Sequence, residues 1–132
     1  SPKNQSLCAL GAKTFQCPGR DHSGLGSSYV VLIGPDTMFS GPQGTKFVDA
    51  RDGTANTILV VEFEGANSNW MEPTDLDMNL FVQGSADKLP HEGSFNVGFV
   101  DASVRQMMGT MSAEERKALA TRNGGEIVPM SP

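Results

Sequence analysis

Two cysteines and two histidines bound the covalent chemistry that this 132-residue chain could perform. A thiol–imidazole hydrolase would need Cys8 or Cys17 as thiolate and His22 or His91 as base. Neither cysteine is flanked by a family-type nucleophile signature, so that chemistry is not expected. A serine nucleophile elbow requires Gly-x-Ser-x-Gly, which Gly24-Leu25-Gly26-Ser27-Ser28 does not supply. The segment Gly41-Pro42-Gln43-Gly44-Thr45-Lys46 lacks the Gly-Lys-Ser/Thr of a phosphate-cradling loop. Asp49, Asp52 and Asn56 could offer oxygens to calcium together with backbone carbonyls. Their spacing departs from the calcium-loop pattern, however, because Val60 stands where the bidentate glutamate would be. Glu72, Asp75 and Asp77 form a second oxygen-rich group. For both groups the plain alternative is turn and helix-cap chemistry. Trp70 could stack on a sugar or anchor a partner beside Glu72, or plug the core beneath a long loop.

The elements that must position these residues are short. Phe95, Val97 and Phe99 alternate with Asn96 and Gly98, which is the period of a strand with one apolar face. Asp101-Ala102-Ser103 interrupts the run, and Val104 to Met108 resumes it, so a β-hairpin with its tip at Asp101 is expected. His91 then precedes the first strand while Asp101 sits at the far end, roughly 25–30 Å away along the chain at about 3.3 Å per residue. The two cannot be a contacting acid–base pair. Asp101 is expected to shape the turn through an Asx-type hydrogen bond, and His91 to bond neighbouring loops.

Further strands are expected over 28–33, apolar enough to be covered on both faces, and over 57–63, a contiguous β-rich run of the kind found mid-sheet. Residues 36–51 read as loop. Segment 75–81 reads as a short helical turn or extended piece with Leu76, Leu80 and Phe81 packing inward. Ser112-Ala113-Glu114-Glu115 is a capping box and predicts a helix over 113–122, closed by Gly124 or Gly125. Residues 126–128 read as a last short strand. In the N-terminal stretch, Leu7 to Phe15 could hold a helical turn. The result is a single α+β domain: a small, mainly antiparallel sheet with long covering loops and a C-terminal helix.

Composition excludes several classes. The net charge is −5 and no basic run exists, so the clustered positive footprint of a nucleic-acid-binding protein is missing. No segment reaches the roughly 18 apolar residues needed to span a bilayer.

A set of ordered motifs adds a family resemblance. His91 and Asp101 enclose nine residues and are followed by Ser103-Val104-Arg105. Upstream, in order, stand Phe15-Gln16-Cys17-Pro18, Ser28-Tyr29-Val30, Gly34-Pro35, the run Asp52-Gly53-Thr54-Ala55-Asn56-Thr57, Trp70-Met71-Glu72-Pro73 and Asp75-Leu76-Asp77. Thr121-Arg122-Asn123-Gly124-Gly125-Glu126 closes the set. This pattern resembles the bacterial prepilin-like (type II secretion pseudopilin-like) family. Its C-terminal signature is H-x9-D-G, and its globular domain has no assigned function. Ala102 stands where the family has glycine, and a left-handed backbone there would cost alanine about 1 kcal/mol.

The resemblance implies a pilin-like globular head with no catalytic residues and no required cofactor, and it raises the expectation of calcium slightly. It further implies export to the periplasm or cell surface and anchoring through an apolar helix upstream of Ser1, as if this chain were trimmed or cleaved. Like subunits or other pilin-like proteins are the implied partners, with no nucleic acid and with membrane contact only through that helix. In such a compartment the even cysteine count favours a Cys8–Cys17 disulfide, worth roughly 3 kcal/mol in the chain-entropy model. The leading expectation is a non-enzymatic structural or assembly subunit. The alternative is an extracytoplasmic carbohydrate- or metal-binding module.

Overall fold

The computed structural model describes residues 2–8, 10–11, 13–19, 26–63, 69–72, 75–84 and 89–126. In chain order the elements are α1 (Pro2–Cys8), β1 (Tyr29–Ile33), β2 (Ile58–Glu62), β3 (Leu76–Asp77), α2 (Met78–Val82), β4 (Ser94–Phe99), β5 (Val104–Met108) and α3 (Ala113–Ala120). The strands form one sheet in the order β3-β1-β2-β4-β5. All neighbours run antiparallel except β1 and β3, which are parallel. The architecture is α+β, as expected, with β3 as an added edge. Segment 75–81 adopts both of its expected forms in succession, strand and then helix. The expected strand over 126–128 lies largely outside the described residues.

Alternation divides the sheet into two faces. Val30, Leu32, Val61, Phe95, Val97 and Phe99 point to one side and join Leu76, Met78, Phe81, Leu119 and Ala120 in the main core. α2 and α3 therefore cover this face, and Phe81 meets Phe95 edge-on with ring centroids 6.1 Å apart. Leu80 does not pack as expected. It lies on the outer side of α2, with 63% of its surface exposed.

The other face is covered only in part. In β1 the residues between the buried ones are half-buried, so the expectation of full cover on both faces is corrected. Alternation turns Leu59 away from Ile58, and a register shift between Ile58 and Val60 sets Val60 opposite Gly98, off the Ile58 face. Leu59 packs instead with Met38, Ala50 and Val100 under the loop 34–56.

The Asp101 turn follows the sequence reading. Asp101 Oδ1 accepts from the Ser103 amide at 2.9 Å and the Ser103 hydroxyl at 2.6 Å. Those bonds hold the Asp101 carboxyl below its ordinary range. Ala102 has φ +67°, the left-handed conformation that glycine adopts without a Cβ penalty.

The capping box also forms, with Ser112 Oγ accepting from the Glu115 amide and a Glu115 carboxylate oxygen from the Ser112 amide. The helix end differs from expectation. α3 stops at Ala120 and its C-cap is the extended Thr121, not a glycine. Arg122 leaves the helix because its amide donates to Asp36 O and its guanidinium to Thr37 O. The Gly124 and Gly125 amides are held instead by the two oxygens of Asp52, at 2.6 and 2.9 Å.

Among the described residues no helix is long and apolar enough to cross a membrane.

Candidate functional site

β2 ends on Glu62, a carboxylate with a side chain only 1% exposed. Tyr29 pairs with Glu62 across β1 and β2, placing Glu62 on the less covered face of the sheet. Its Oε2 accepts from the Asn96 backbone amide at 3.1 Å and from the Asn96 side-chain amide at 2.8 Å. Oε1 meets His91 Nε2 at 3.0 Å.

His91 is fixed by its backbone. The His91 and Ser94 amides each donate to the other's carbonyl, and the Ser94 hydroxyl also donates to His91 O. The intervening Glu92 and Gly93 have φ +40° and +91°, the positive values that a two-residue type I′ hairpin turn requires. Glu92 is the non-glycine residue that carries this strain.

The third member arrives from the N-terminal segment. Cys17 is 1% exposed, its amide donates to Ser28 Oγ at 3.0 Å, and its Sγ lies 3.5 Å from His91 Nε2. Sγ, a Glu62 carboxylate oxygen and a His91 ring nitrogen all lie within 4.8 Å of one another. Tyr29 stands nearby. Its burial, with the negative charge of Glu62 and then Cys17, pushes its phenol above its ordinary value. A shallow cleft of about 630 Å³, lined by Gly19, Pro90, His91, Glu92, Ser94 and Met108, opens this corner to solvent.

The geometry does not build a hydrolytic triad. In a relay, nucleophile and orienting carboxylate hold opposite ring nitrogens of the histidine. Here both face Nε2. The buried sulfur is also not presented to a substrate.

One expected covalent link is corrected. No disulfide joins Cys8 and Cys17. Cys8 closes α1 and its thiol approaches Met71 Sδ at 3.7 Å, whereas Cys17 is drawn to Ser28 and His91. Asp49, Asp52 and Asn56 make turn and cap contacts, the plain alternative. Asp49 Oδ2 caps the turn Phe47–Asp49 through the Lys46 amide, Asp52 holds Gly124 and Gly125, and Asn56 Nδ2 donates to Asp52 O. Asp77 likewise caps α2 through the Asn79 amide. Glu72 and Asp75 are exposed.

Trp70 stacks on Phe15 with centroids 6.3 Å apart and planes at 17°, and its indole N–H is buried without a partner among the described residues.

Of the signature residues, His91 belongs to the cluster and Asp101 and Ser103 build the turn at the other end of β4. Arg105 lies over the Phe99 ring at 4.5 Å. His22 lies outside the described residues. Sequence reading missed Glu62 as a site residue because Thr57 to Phe63 reads as a buried strand. Its one signal was a carboxylate inside an otherwise apolar run. The chain matches no family model, no curated protein and no solved structure.

Proposed function

We propose that this chain is the head domain of an exported, prepilin-like protein, acting as a non-enzymatic structural or assembly subunit. It meets like subunits across the less covered face of its sheet, and the membrane is reached only through an upstream helix. One observation carries this reading. Val31, Val60, Gly98 and Val104 stand in register across β1, β2, β4 and β5 on that face, with no charge among them. The row ends on the edge strand, where Val104 is 71% and Met108 56% exposed. A contiguous apolar row on an open face is the kind of surface that another element covers.

Sedimentation velocity over a concentration series tests the reading. Wild type is expected to associate reversibly, and Val104→Asp to shift the equilibrium toward monomer. A wild type that stays monomeric throughout, and that cross-linking in cells never joins to a like subunit, defeats it.

A further inference from the structure

We propose that Cys17, Glu62 and His91 bind one divalent transition-metal ion of the zinc type, a property beyond the assembly role and independent of it. The donor set is a thiol, an imidazole and a carboxylate, which zinc accepts together and which calcium and magnesium, preferring oxygen alone, do not.

The spacing agrees. Ligand bonds of about 2.0–2.3 Å in a tetrahedron place donor atoms about 3.3–3.6 Å apart. The observed separations from Nε2 are 3.0 Å to Oε1 and 3.5 Å to Sγ. The remaining pair, the sulfur and the carboxylate oxygen, lies within 4.8 Å, so an ion is seated by opening the Glu62–His91 contact slightly and bringing the sulfur and the oxygen into range.

Two donors facing one ring nitrogen is also the arrangement a shared ion explains. A neutral Nε2 cannot donate to Glu62 and accept from the Cys17 thiol at once. With the proton on Nδ1, Nε2 is left as an acceptor and can bind one ion together with Sγ and a Glu62 oxygen. Binding releases the thiol proton to solvent.

The surroundings hold each ligand. Asn96 occupies Oε2 twice and leaves Oε1 as the single coordinating oxygen. Ser28 fixes the Cys17 backbone, and Ser94 with the strained Glu92-Gly93 turn fixes His91. Of the three ligands His91 lines the open cleft, which is the route by which water or an external donor would reach a fourth position.

The test is a cobalt(II) titration of reduced, chelator-stripped protein. Wild type should develop a thiolate-to-cobalt charge-transfer band and intense tetrahedral d–d bands that saturate at one equivalent, and zinc(II) should bleach them. Cys8→Ser should behave as wild type and Cys17→Ser should lose the charge-transfer band. Asn96→Ala should bind about 10–100-fold more weakly. A wild type without the charge-transfer band overturns the proposal, whether or not any variant folds. So does a band that Cys8→Ser abolishes or that folded Cys17→Ser retains. Failure here leaves the sedimentation result untouched, and the two proposals fall separately.

Discussion

Asn96 directs both of its N–H groups, backbone at 3.1 Å and side chain at 2.8 Å, to one oxygen of Glu62. The β2–β4 ladder ends at Val61 and Val97, and the Glu62 carboxylate takes the amide that a further strand residue would have satisfied. A buried acid thereby closes the sheet at this end and, through its other oxygen, holds His91 in place.

Glu62→Ala should destabilise the metal-free protein by about 3 kcal/mol, because it strands the Asn96 donors and removes the His91 partner in a buried setting. Glu62→Gln keeps an acceptor for Asn96 and should cost less than half as much. Urea unfolding in the presence of chelator checks both. Equal costs would mean that the charge, and not the acceptor geometry, matters most.

At the opposite end of β4, Ala102→Gly should stabilise. Relief of the left-handed strain at φ +67° is worth about 1–2 kcal/mol, and the added freedom of the unfolded glycine takes back about 0.5–1 kcal/mol. A net gain of about 0.5–1 kcal/mol should appear as a higher unfolding midpoint at unchanged denaturant slope. A loss would show that the turn relaxes in solution.

The neighbouring Asp101 governs part of the acid response. Its pKa in the folded chain lies below the unfolded value because the Ser103 hydroxyl and amide bond the ionised form. The resulting stability is present above the unfolded carboxyl pKa and is lost as pH falls through the lower folded pKa. Asp101→Asn should therefore show a smaller fall in thermal midpoint on acidification than wild type. Parallel curves would contradict this.

Arg116 is 3% exposed. Its guanidinium donates to Phe81 O at 3.2 Å and Gly109 O at 2.8 Å and lies against the Phe81 and Phe95 rings. Burial lowers its pKa from the ordinary arginine value. Arg116→Ala should destabilise by about 3 kcal/mol by stranding the Gly109 carbonyl, removing one of the two donors to the Phe81 carbonyl, which keeps the Gly84 amide, and losing the stem against the rings. Arg116→Lys should recover part of this, since one ammonium cannot span both carbonyls as the guanidinium fork does. Chemical denaturation of the pair decides the order.

Local chemistry alone determined much of this molecule. Alternating apolar residues set β4, the turn at Asp101 with the extended, mixed run after it set β5, β-branched runs set β1 and β2, and Ser112 with Glu115 set the start of α3, because each signal acts within a few residues. Asp101 and Ala102 were legible as a turn for the same reason. What lay between distant segments was decided by the tertiary structure. α3 ends early because Arg122 bonds the loop at Asp36 and Thr37, and the glycines after it are captured by Asp52, far upstream. Cys17 turns to His91 and not to Cys8, because sheet formation brings the 13–19 segment over the start of β4, 74 positions along the chain. Glu62 reads as one polar residue in an apolar strand. Only the register of β1, β2 and β4 places it where Tyr29, Asn96, His91 and Cys17 converge, and sequence spacing carries no record of register between strands so far apart.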